Sequence, residues 1–325
     1  MANNMNLHKS PLFEEAIIAA ASYFNINETY IEKDYWVTYV LKNLAESKFL
    51  ESLVFKGGTS LSKVYNCIDR FSEDIDLAIL GDEKLGDSTR KNLMKDIETT
   101  ITDGLELIKD HPQTEKRGRN RKTFYNYPKK STKENKGIIK EVIQLEINSF
   151  TNPAPYELKP IESILAQYFR EKSLTDLIET YNLKPFIVQV LSIERTLFEK
   201  VLSLVRISYE STDKLKSKIR HFYDITRILS NPAYADLLNY SGIKVFKQAL
   251  NDDKLNSTFQ GEWLNKPLHE SPLIQNFEDI WLELSSTFKR ELKELVWTNE
   301  LPTDEEVKSA FLTVRLFLIE AEYIN

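Results

Sequence analysis

Two aspartates one residue apart, Asp74 and Asp76, are the residues of this sequence best suited to chemistry. They lie in the stretch EDIDLAIL, whose alternation of polar and apolar residues predicts a strand from Asp74 to Leu80. Alternate side chains of a strand share a face, so both carboxylates project from one face. At about 7 Å along a strand, they repel each other unless a cation lies between them. The spacing therefore predicts a site for Mg²⁺ or Mn²⁺, metals that carboxylates bind together with substrate phosphates.

A third acid, Glu146, follows in the stretch IIKEVIQLEINSF. Its polar and apolar residues alternate as well, which predicts a strand over residues 138–149. Glu146 falls on the polar face of that strand. It is suited to align a hydroxyl nucleophile, either as a general base or through the metal.

The stretch FKGGTSLSK, before the aspartates, predicts a phosphate-binding turn. A short strand over 53–55 ends in Gly57 and Gly58, which let the backbone turn sharply and approach a ligand closely. Thr59 and Ser60 then begin a short helix, where free N–H groups favour an anion, and Lys63 follows one turn later. Gly-Gly-Thr alone is a common turn, and Asp-x-Asp alone is more often surface. The combination, with 13 residues between Ser60 and Asp74, predicts a nucleotide and metal site.

A basic segment runs from Lys116 to Lys140 and holds ten Lys/Arg and one acid, a net charge of +9. Because the whole chain carries −6, the remainder carries −15. The segment also contains Phe124, Tyr125 and Tyr127, and aromatic faces stack on unpaired bases while cations neutralise phosphates. The candidate RNA contacts are Arg117, Arg119, Arg121, Lys122, Lys129 and Lys130. A solvated hairpin without a ligand explains the segment equally well.

Helices and strands predicted from periodicity place these residues in an α+β fold. One helix begins at Ser10-Pro11, and Asn27 caps a second. Further elements are a helix over 88–109, strands over 121–127 and 186–191, and helices over 192–208, 213–230, 232–251, 274–296 and 303–323. The stretch TNPAPYELKP, residues 151–160, predicts a boundary. We expect an N-terminal lobe, residues 1–155, with a small mixed sheet and flanking helices, and a mainly helical lobe, residues 156–325.

Composition narrows the protein class. A chain of 325 residues, 42% hydrophobic and 28% charged, is long enough for two folded lobes. Cys67 is the single cysteine, so no intramolecular disulfide forms and a reducing compartment fits. One cysteine and four scattered histidines offer no zinc-ligand spacing. The N-terminus predicts no secretory signal and no membrane partner, and we expect a cytoplasmic protein.

These motifs resemble the DNA polymerase β-like nucleotidyltransferases and, more closely, the AbiEii/AbiGii toxin family, the nucleotidyltransferase-like toxins of AbiE and MenA/MenT-type toxin–antitoxin pairs. The stretches that carry the resemblance are IEKDYWVTYVL (31–41), FKGGTSLSKVY with RFSEDIDLAI (55–79), IERTLFEKVLSL (193–204) and IRHFYDITRIL (219–229). One departure is Leu197-Phe198, where the family usually has Phe-Trp. The resemblance implies a bilobal nucleotidyltransferase fold.

The resemblance also implies roles for single residues. By it, Ser60 contacts the triphosphate, Asp74 and Asp76 hold Mg²⁺, and Glu146 is the third strand acid. Lys200 lies over the nucleotide phosphates and Asp224 completes the site. From spacing alone, Lys200 is a solvent-facing helix lysine, and His221 and Asp224, three residues apart, form a local ion pair or a tie to a neighbouring helix.

The function implied is that of an abortive-infection toxin, active in phage defence, with a cognate antitoxin. It would transfer a nucleotide from an NTP to an RNA acceptor such as a tRNA 3′ end, releasing pyrophosphate. Two alternatives stay open. One is an NTP-binding regulatory protein without turnover, and the other is transfer to a protein or a small molecule.

Overall fold

The computed structural model describes residues 5–72, 74–81, 85–131, 141–298 and 300–324. The chain forms two compact units. The first contains Met1–Val64 and Phe71–Val190, and the second contains Tyr65–Arg70 and Leu191–Asn325. The division differs from the predicted one, because position 155 lies inside the first unit. In the described part of the chain, no helix combines the length and apolar character needed to cross a membrane.

An eight-stranded mixed sheet forms the centre of the first unit. Its strands are β1 (Leu53–Lys56), β2 (Asp74–Ile79), β3 (Glu106–Leu107), β4 (Glu115–Arg117), β5 (Asn120–Asn126), β6 (Ile143–Asn148), β7 (Tyr156–Ile161) and β8 (Phe186–Leu191). They are ordered β3-β5-β6-β2-β1-β8-β7, and β4 pairs with β5. Strand β2 lies antiparallel to β1 and parallel to β6. Sequence-distant strands are thereby brought side by side at β2.

The helices of the first unit follow the apolar periodicity of the sequence. They are α1 (Leu12–Phe24), α2 (Glu28–Ala45), α3 (Gly57–Lys63), α4 (Asp87–Ile101), α5 (Ile164–Glu171) and α6 (Thr175–Thr180). Asn25 ends α1 in the left-handed conformation with φ 54°. The Asn27 side chain accepts a hydrogen bond from the Thr29 amide and begins α2, as predicted.

The second unit is helical. Its helices are α7 (Ile193–Ser208), α8 (Thr212–Lys216), α9 (Ile219–Ser230), α10 (Tyr240–Leu255), α11 (Pro272–Gln275), α12 (Phe277–Leu292) and α13 (Asp304–Tyr323). Helix α7 packs against α9 and α10, and α9 packs against α13. Aromatic rings fill the interior, as in the stacked pair Phe222–Phe311 with ring centroids 5.0 Å apart. Thr303 and Glu306 form a capping box that begins α13.

Several predicted boundaries were wrong. The helix predicted over 88–109 ends at Ile101, because Gly104 turns the chain with φ 84° and the next residues form β3. The stretch 151–160, predicted to be a boundary, instead includes all but the last residue of strand β7. The helix predicted over 213–230 is divided into α8 and α9. The strand predicted over 138–149 corresponds to β6, and residues 138–140 lie outside the described residues.

Candidate active site

The three predicted acids are the partly exposed residues of two otherwise buried strands. In β2, Asp74 and Asp76 are partly exposed, whereas Ile75 and the last three residues are buried. In β6, Glu146 alone is partly exposed. Buried strands normally carry apolar side chains, so acids at these positions mark the face on which a polar ligand has access.

The sheet register brings the acids of β2 and β6 together. Asp76 pairs with Glu146 across the parallel β2–β6 ladder, and Lys56 pairs with Asp76 on the other side. Lys122 of β5 pairs with Glu146. Neighbouring strands lie about 4.8 Å apart, and directly paired residues share a face. One row across four strands therefore carries a lysine, two acids and a second lysine.

Gly57, the first residue of α3, lies directly against the Asp76 carboxylate. Its φ is 84°, and a Cβ atom placed on it would lie 2.1 Å from Oδ2 of Asp76. Such a distance is a severe clash, and the left-handed backbone region also disfavours residues with a Cβ. Glycine is therefore required at position 57 because the Asp76 carboxylate leaves no space for a Cβ atom.

The two hydroxyls after the glycines are buried and bonded within the protein. Thr59 Oγ1 donates to the carbonyl oxygen of Asp74 at 2.5 Å and lies within hydrogen-bond distance of Ser72 Oγ, at 3.1 Å. Ser60 Oγ donates to the carbonyl oxygen of Gly57 at 2.9 Å, and Ser60 is fully buried. The Ser60 hydroxyl thus closes the glycine turn, and its contact with a triphosphate stays a prediction.

Lys63, predicted to contact the nucleotide, has two partners within the protein. Its ammonium forms a salt bridge with Asp34 of α2 and donates to the carbonyl oxygen of Glu162 at 3.1 Å. The two side chains of the salt bridge are only 6% and 11% exposed. A buried lysine is stabilised where an acid and a carbonyl oxygen contact its ammonium group. The nucleotide-binding role of Lys63 stays a prediction.

A family model described as nucleotidyl transferase AbiEii toxin, type IV toxin–antitoxin system, matches residues 39–308. The chain belongs to this family. It is a nucleotidyltransferase toxin, as the resemblance of its motifs implied. Among curated proteins, none matches the toxin. One similar solved structure is MenT4, a nucleotidyltransferase toxin from Mycobacterium tuberculosis H37Rv. It is 17% identical with a TM-score of 0.45, and the match covers 92% of the toxin and 99% of MenT4.

The acids of the toxin fit a divalent metal of the kind that also binds water and substrate. Oδ1 of Asp74 is buried and has no hydrogen-bond partner, which is costly for a carboxylate oxygen unless a cation contacts it. Among the described residues, no group of three or more His, Cys, Asp or Glu side chains is arranged to hold a metal ion. Mg²⁺ commonly uses one or two carboxylates and completes its shell with water and phosphate oxygens. Asp74 and Asp76 match that requirement.

In the second unit, Lys200 and Asp224 contact each other. Asp224 is fully buried and accepts hydrogen bonds from Arg70 Nε at 2.6 Å and Nη2 at 2.7 Å. Lys200 Nζ lies 2.9 Å from Oδ2 of Asp224. Burial alone would raise the pKa of Asp224, but the two cations outweigh it and hold the pKa well below its usual range. Asp224 is thus the shared anion of two cations, and the nucleotide-binding role of Lys200 stays a prediction.

His221, three residues before Asp224, is held neutral in the same region. Burial, together with the charges of Lys200 and Lys218, lowers the pKa of His221 well below its usual value. Its Nδ1 is buried without a hydrogen-bond partner. The local His221–Asp224 ion pair considered from spacing does not form, because Arg70 and Lys200 take up the carboxylate.

The cations of the basic segment divide into exposed and buried groups. Arg117 and Arg119 are exposed at the β4–β5 turn, and Lys129 and Lys130 are exposed after β5. Arg121 differs from these cations, because its side chain is buried and forms a salt bridge with Glu98 of α4, which does not favour its predicted contact with RNA. The later lysines of the segment fall in 132–140, outside the described residues.

The three aromatic residues of the basic segment belong to the core. Phe124, Tyr125 and Tyr127 are at most 7% exposed. Phe124 stacks on His111 with ring centroids 3.6 Å apart, and the Tyr125 hydroxyl donates to Glu98. The expectation that these rings stack on bases was wrong, because β5 is covered on both faces.

Two acids of α2, Glu32 and Asp34, make contacts that the sequence did not predict. Asp34 binds the end of α3 through Lys63, and Glu32 on the same helix accepts from the amides of Lys130 and Ser131 at 2.6 and 2.9 Å. Glu32 is fully buried. The resemblance over residues 31–41 raises both acids as candidates, whereas their spacing alone is explained equally well by a charged helix face.

Proposed function

We propose that this toxin uses Mg²⁺ to transfer a nucleotide from an NTP to an RNA acceptor, with a tRNA 3′ end as the first candidate. One observation carries the proposal. Asp76 and Glu146 are paired in register on neighbouring strands, and Asp74, on the same face, has a buried carboxylate oxygen without a partner. A nucleotidyltransferase of known family thus has acids suited both to a metal and to a hydroxyl nucleophile.

Each acid has a separate part in the reaction. Asp74 and Asp76 would hold the metal ion, which would supply charge neutralisation at the phosphates of the NTP. Glu146 accepts the proton of the attacking hydroxyl as a general base. The hydroxyl oxygen forms a bond to the α-phosphorus, the bond between that phosphorus and the bridging oxygen to the β-phosphate breaks, and pyrophosphate leaves. Gly57 keeps the backbone close to Asp76 and so fixes the position of that carboxylate.

Exposed cations support an RNA acceptor. Arg117 and Arg119 lie at the β4–β5 turn, and β5 also carries Lys122, which pairs with Glu146. Guanidinium and ammonium groups neutralise phosphates without regard to sequence. The net charge of the chain is −6, which disfavours contact with RNA, so the described cations of this positive segment favour the RNA acceptor locally.

A cognate antitoxin is the expected protein partner, because the family is one of type IV toxin–antitoxin systems. We propose that transfer to RNA blocks translation and that the toxin acts in abortive infection as a phage defence. Expression of the toxin should then arrest growth, and the arrest should require the acids of the β2–β6 face.

The test uses labelled NTPs, Mg²⁺ and total RNA. Wild-type toxin should label RNA and release pyrophosphate, and RNase should remove the label. Asp76→Ala should abolish both, whereas Asp103→Ala, which removes an exposed acid, should retain both. Label that survives RNase and migrates with protein would contradict the RNA acceptor. Full transfer by Asp76→Ala, or equal transfer without a divalent ion, would contradict the metal site.

A further inference from the structure

We propose that Asp34 is a positioning residue for the catalytic acids of β2 and that it acts through Lys63 and helix α3. The inference rests on the proposed role of Asp74 and Asp76. It adds a residue on α2 that touches neither of them. All of the contacts that support it lie within the first unit.

Asp34 joins α2 to two other elements. Its Oδ2 accepts a hydrogen bond from the Ile164 amide, at the beginning of α5, at 2.7 Å. Its Oδ1 accepts from the ammonium of Lys63, the last residue of α3. Lys63 also donates to the carbonyl oxygen of Glu162, two residues before α5. Both oxygens of Asp34 are therefore used, and the end of α3 is held by α2 and by the segment before α5.

The other contacts of α3 are with the strand that carries the acids. Thr59 Oγ1 donates to the carbonyl oxygen of Asp74 at 2.5 Å, which fixes the first residue of β2. Gly57 lies against the Asp76 carboxylate with no space for a Cβ atom. Helix α3 has seven residues, and its hydrogen bonds fix the rise per residue, so the helix moves as one rigid segment. A shift at Lys63 is thus transmitted to the contacts of Gly57 and Thr59 with β2.

Two roles for Lys63 make different kinetic predictions. A lysine that binds the nucleotide contributes to ground-state binding, so its loss raises KM for the NTP. A lysine that positions α3 affects the geometry of the acids, so its loss lowers kcat. In the second case Asp34 and Lys63 act as one unit, and their effects are not additive.

The experiment compares four variants: Asp34→Asn, Lys63→Met, Lys63→Arg and the double variant Asp34→Asn/Lys63→Met. The matched control is Arg170→Gln, which removes a more exposed salt bridge to Glu162 beside the same segment. Asp76→Ala is the inactive reference. Pyrophosphate release gives kcat and KM for the NTP, and hydrogen exchange of residues 57–63 reports whether α3 is held. Circular dichroism and melting confirm that each variant is folded.

We expect Asp34→Asn and Lys63→Met to lower kcat about tenfold or more, because ~1 Å of misplacement costs on the order of a hundredfold in rate. KM for the NTP should change less than about twofold. The double variant should be no slower than the slower single variant, and Lys63→Arg should recover most of the rate. Exchange of residues 57–63 should rise in both single variants and stay unchanged in Arg170→Gln.

Other results would overturn the inference. A raised KM in Lys63→Met with normal kinetics in Asp34→Asn would make Lys63 a nucleotide ligand. Normal kcat in both single variants, with Asp76→Ala inactive, would refute the positioning role and leave the proposed function standing. An active Asp76→Ala would refute the proposed site itself, and the positioning role with it. If Asp34→Asn or Lys63→Met does not fold, Lys63→Arg provides the test. A large loss of kcat in folded Lys63→Arg, with unchanged hydrogen exchange of residues 57–63, would refute the inference.

Discussion

Replacing Asp224 by asparagine should destabilise the second unit of the toxin. The carboxylate is fully buried and accepts from Arg70 at 2.6 and 2.7 Å and from Lys200 at 2.9 Å. Arg70 and Lys200 are themselves 3% and 7% exposed. An asparagine has nearly the same shape but no charge, so two buried cations would lose the anion that they share.

The magnitude follows from the cost of leaving buried charge unpaired. Removing one partner of a buried ion pair costs about 3–5 kcal/mol. For a unit of this size, 1 kcal/mol corresponds to a change of roughly 2–4 °C in melting temperature, so the expected loss is about 10 °C. The partly exposed pair of Asp69 with Arg227, in the same segment, provides the scale for comparison. Asp69→Asn should cost about 1 kcal/mol or less.

The assay is urea unfolding and thermal melting of wild type, Asp224→Asn and Asp69→Asn across pH. Burial alone would raise the pKa of Asp224, but Arg70 and Lys200 lower it below its ordinary value. A carboxyl group whose pKa is lowered by folding adds to the free energy of unfolding. The contribution is full above the pKa of the unfolded state, about 4, and is lost as the pH falls below that value. The gap between wild type and Asp224→Asn should be full at pH 7 and should narrow below about pH 4.

One pattern of results would refute this reasoning. If Asp224→Asn melted like the wild type at pH 7 but lost nucleotidyl transfer, Asp224 would act in chemistry and not as the anchor of Arg70 and Lys200. Equal destabilisation by Asp69→Asn and Asp224→Asn would also contradict the argument, because it depends on the difference in burial between the two pairs.

Three further outcomes are expected. Gly57→Ala should abolish transfer, because its Cβ would lie 2.1 Å from the Asp76 carboxylate; transfer near the wild-type rate would show that this contact is not needed. Arg121→Gln should lower the free energy of unfolding by about 3–5 kcal/mol, because it leaves Glu98 buried without its cation. Arg119→Gln should change the melting temperature by only a few degrees and raise KM for RNA. The reverse pattern would contradict the division of these cations into buried and exposed groups. Thr303→Ala should cost about 1 kcal/mol in urea unfolding by removing the capping box of α13, and an unchanged midpoint would contradict it.

Local pattern predicted most of the elements that carry the acids. The alternation of EDIDLAIL and of IIKEVIQLEINSF indicated strands with their acids on the polar face, and β2 and β6 have that form. Asn27 and Ser10-Pro11 marked helix starts correctly to within a residue or two. Patterns failed where long-range pairing overrode them. Strand β7 forms in a proline-bearing stretch, and β3 forms within the residues 88–109 for which the apolar periodicity predicted one helix.

Local pattern did not predict the partners of single charged residues. In the sequence analysis, Lys63 was a candidate for contact with the nucleotide, Arg121 for contact with RNA, and Asp224 for a catalytic role. In the structure their partners are Asp34, Glu98 and Arg70, which are 29, 23 and 154 residues away along the chain. No periodicity within a segment reports such a partner, because the charge of a side chain does not say whether an acid or a phosphate will neutralise it.

By itself, then, the sequence determined which acids share a strand face, where glycine allows the chain to turn, and to which family the motifs correspond. Those properties depend on neighbours within a few residues, so they can be read from local order. Only the tertiary structure decided that Asp76 and Glu146 lie in one row, that Gly57 packs on Asp76, and which cations are buried in salt bridges. Register and burial depend on segments that meet only after folding, and the free energy of a charged group depends on what then surrounds it.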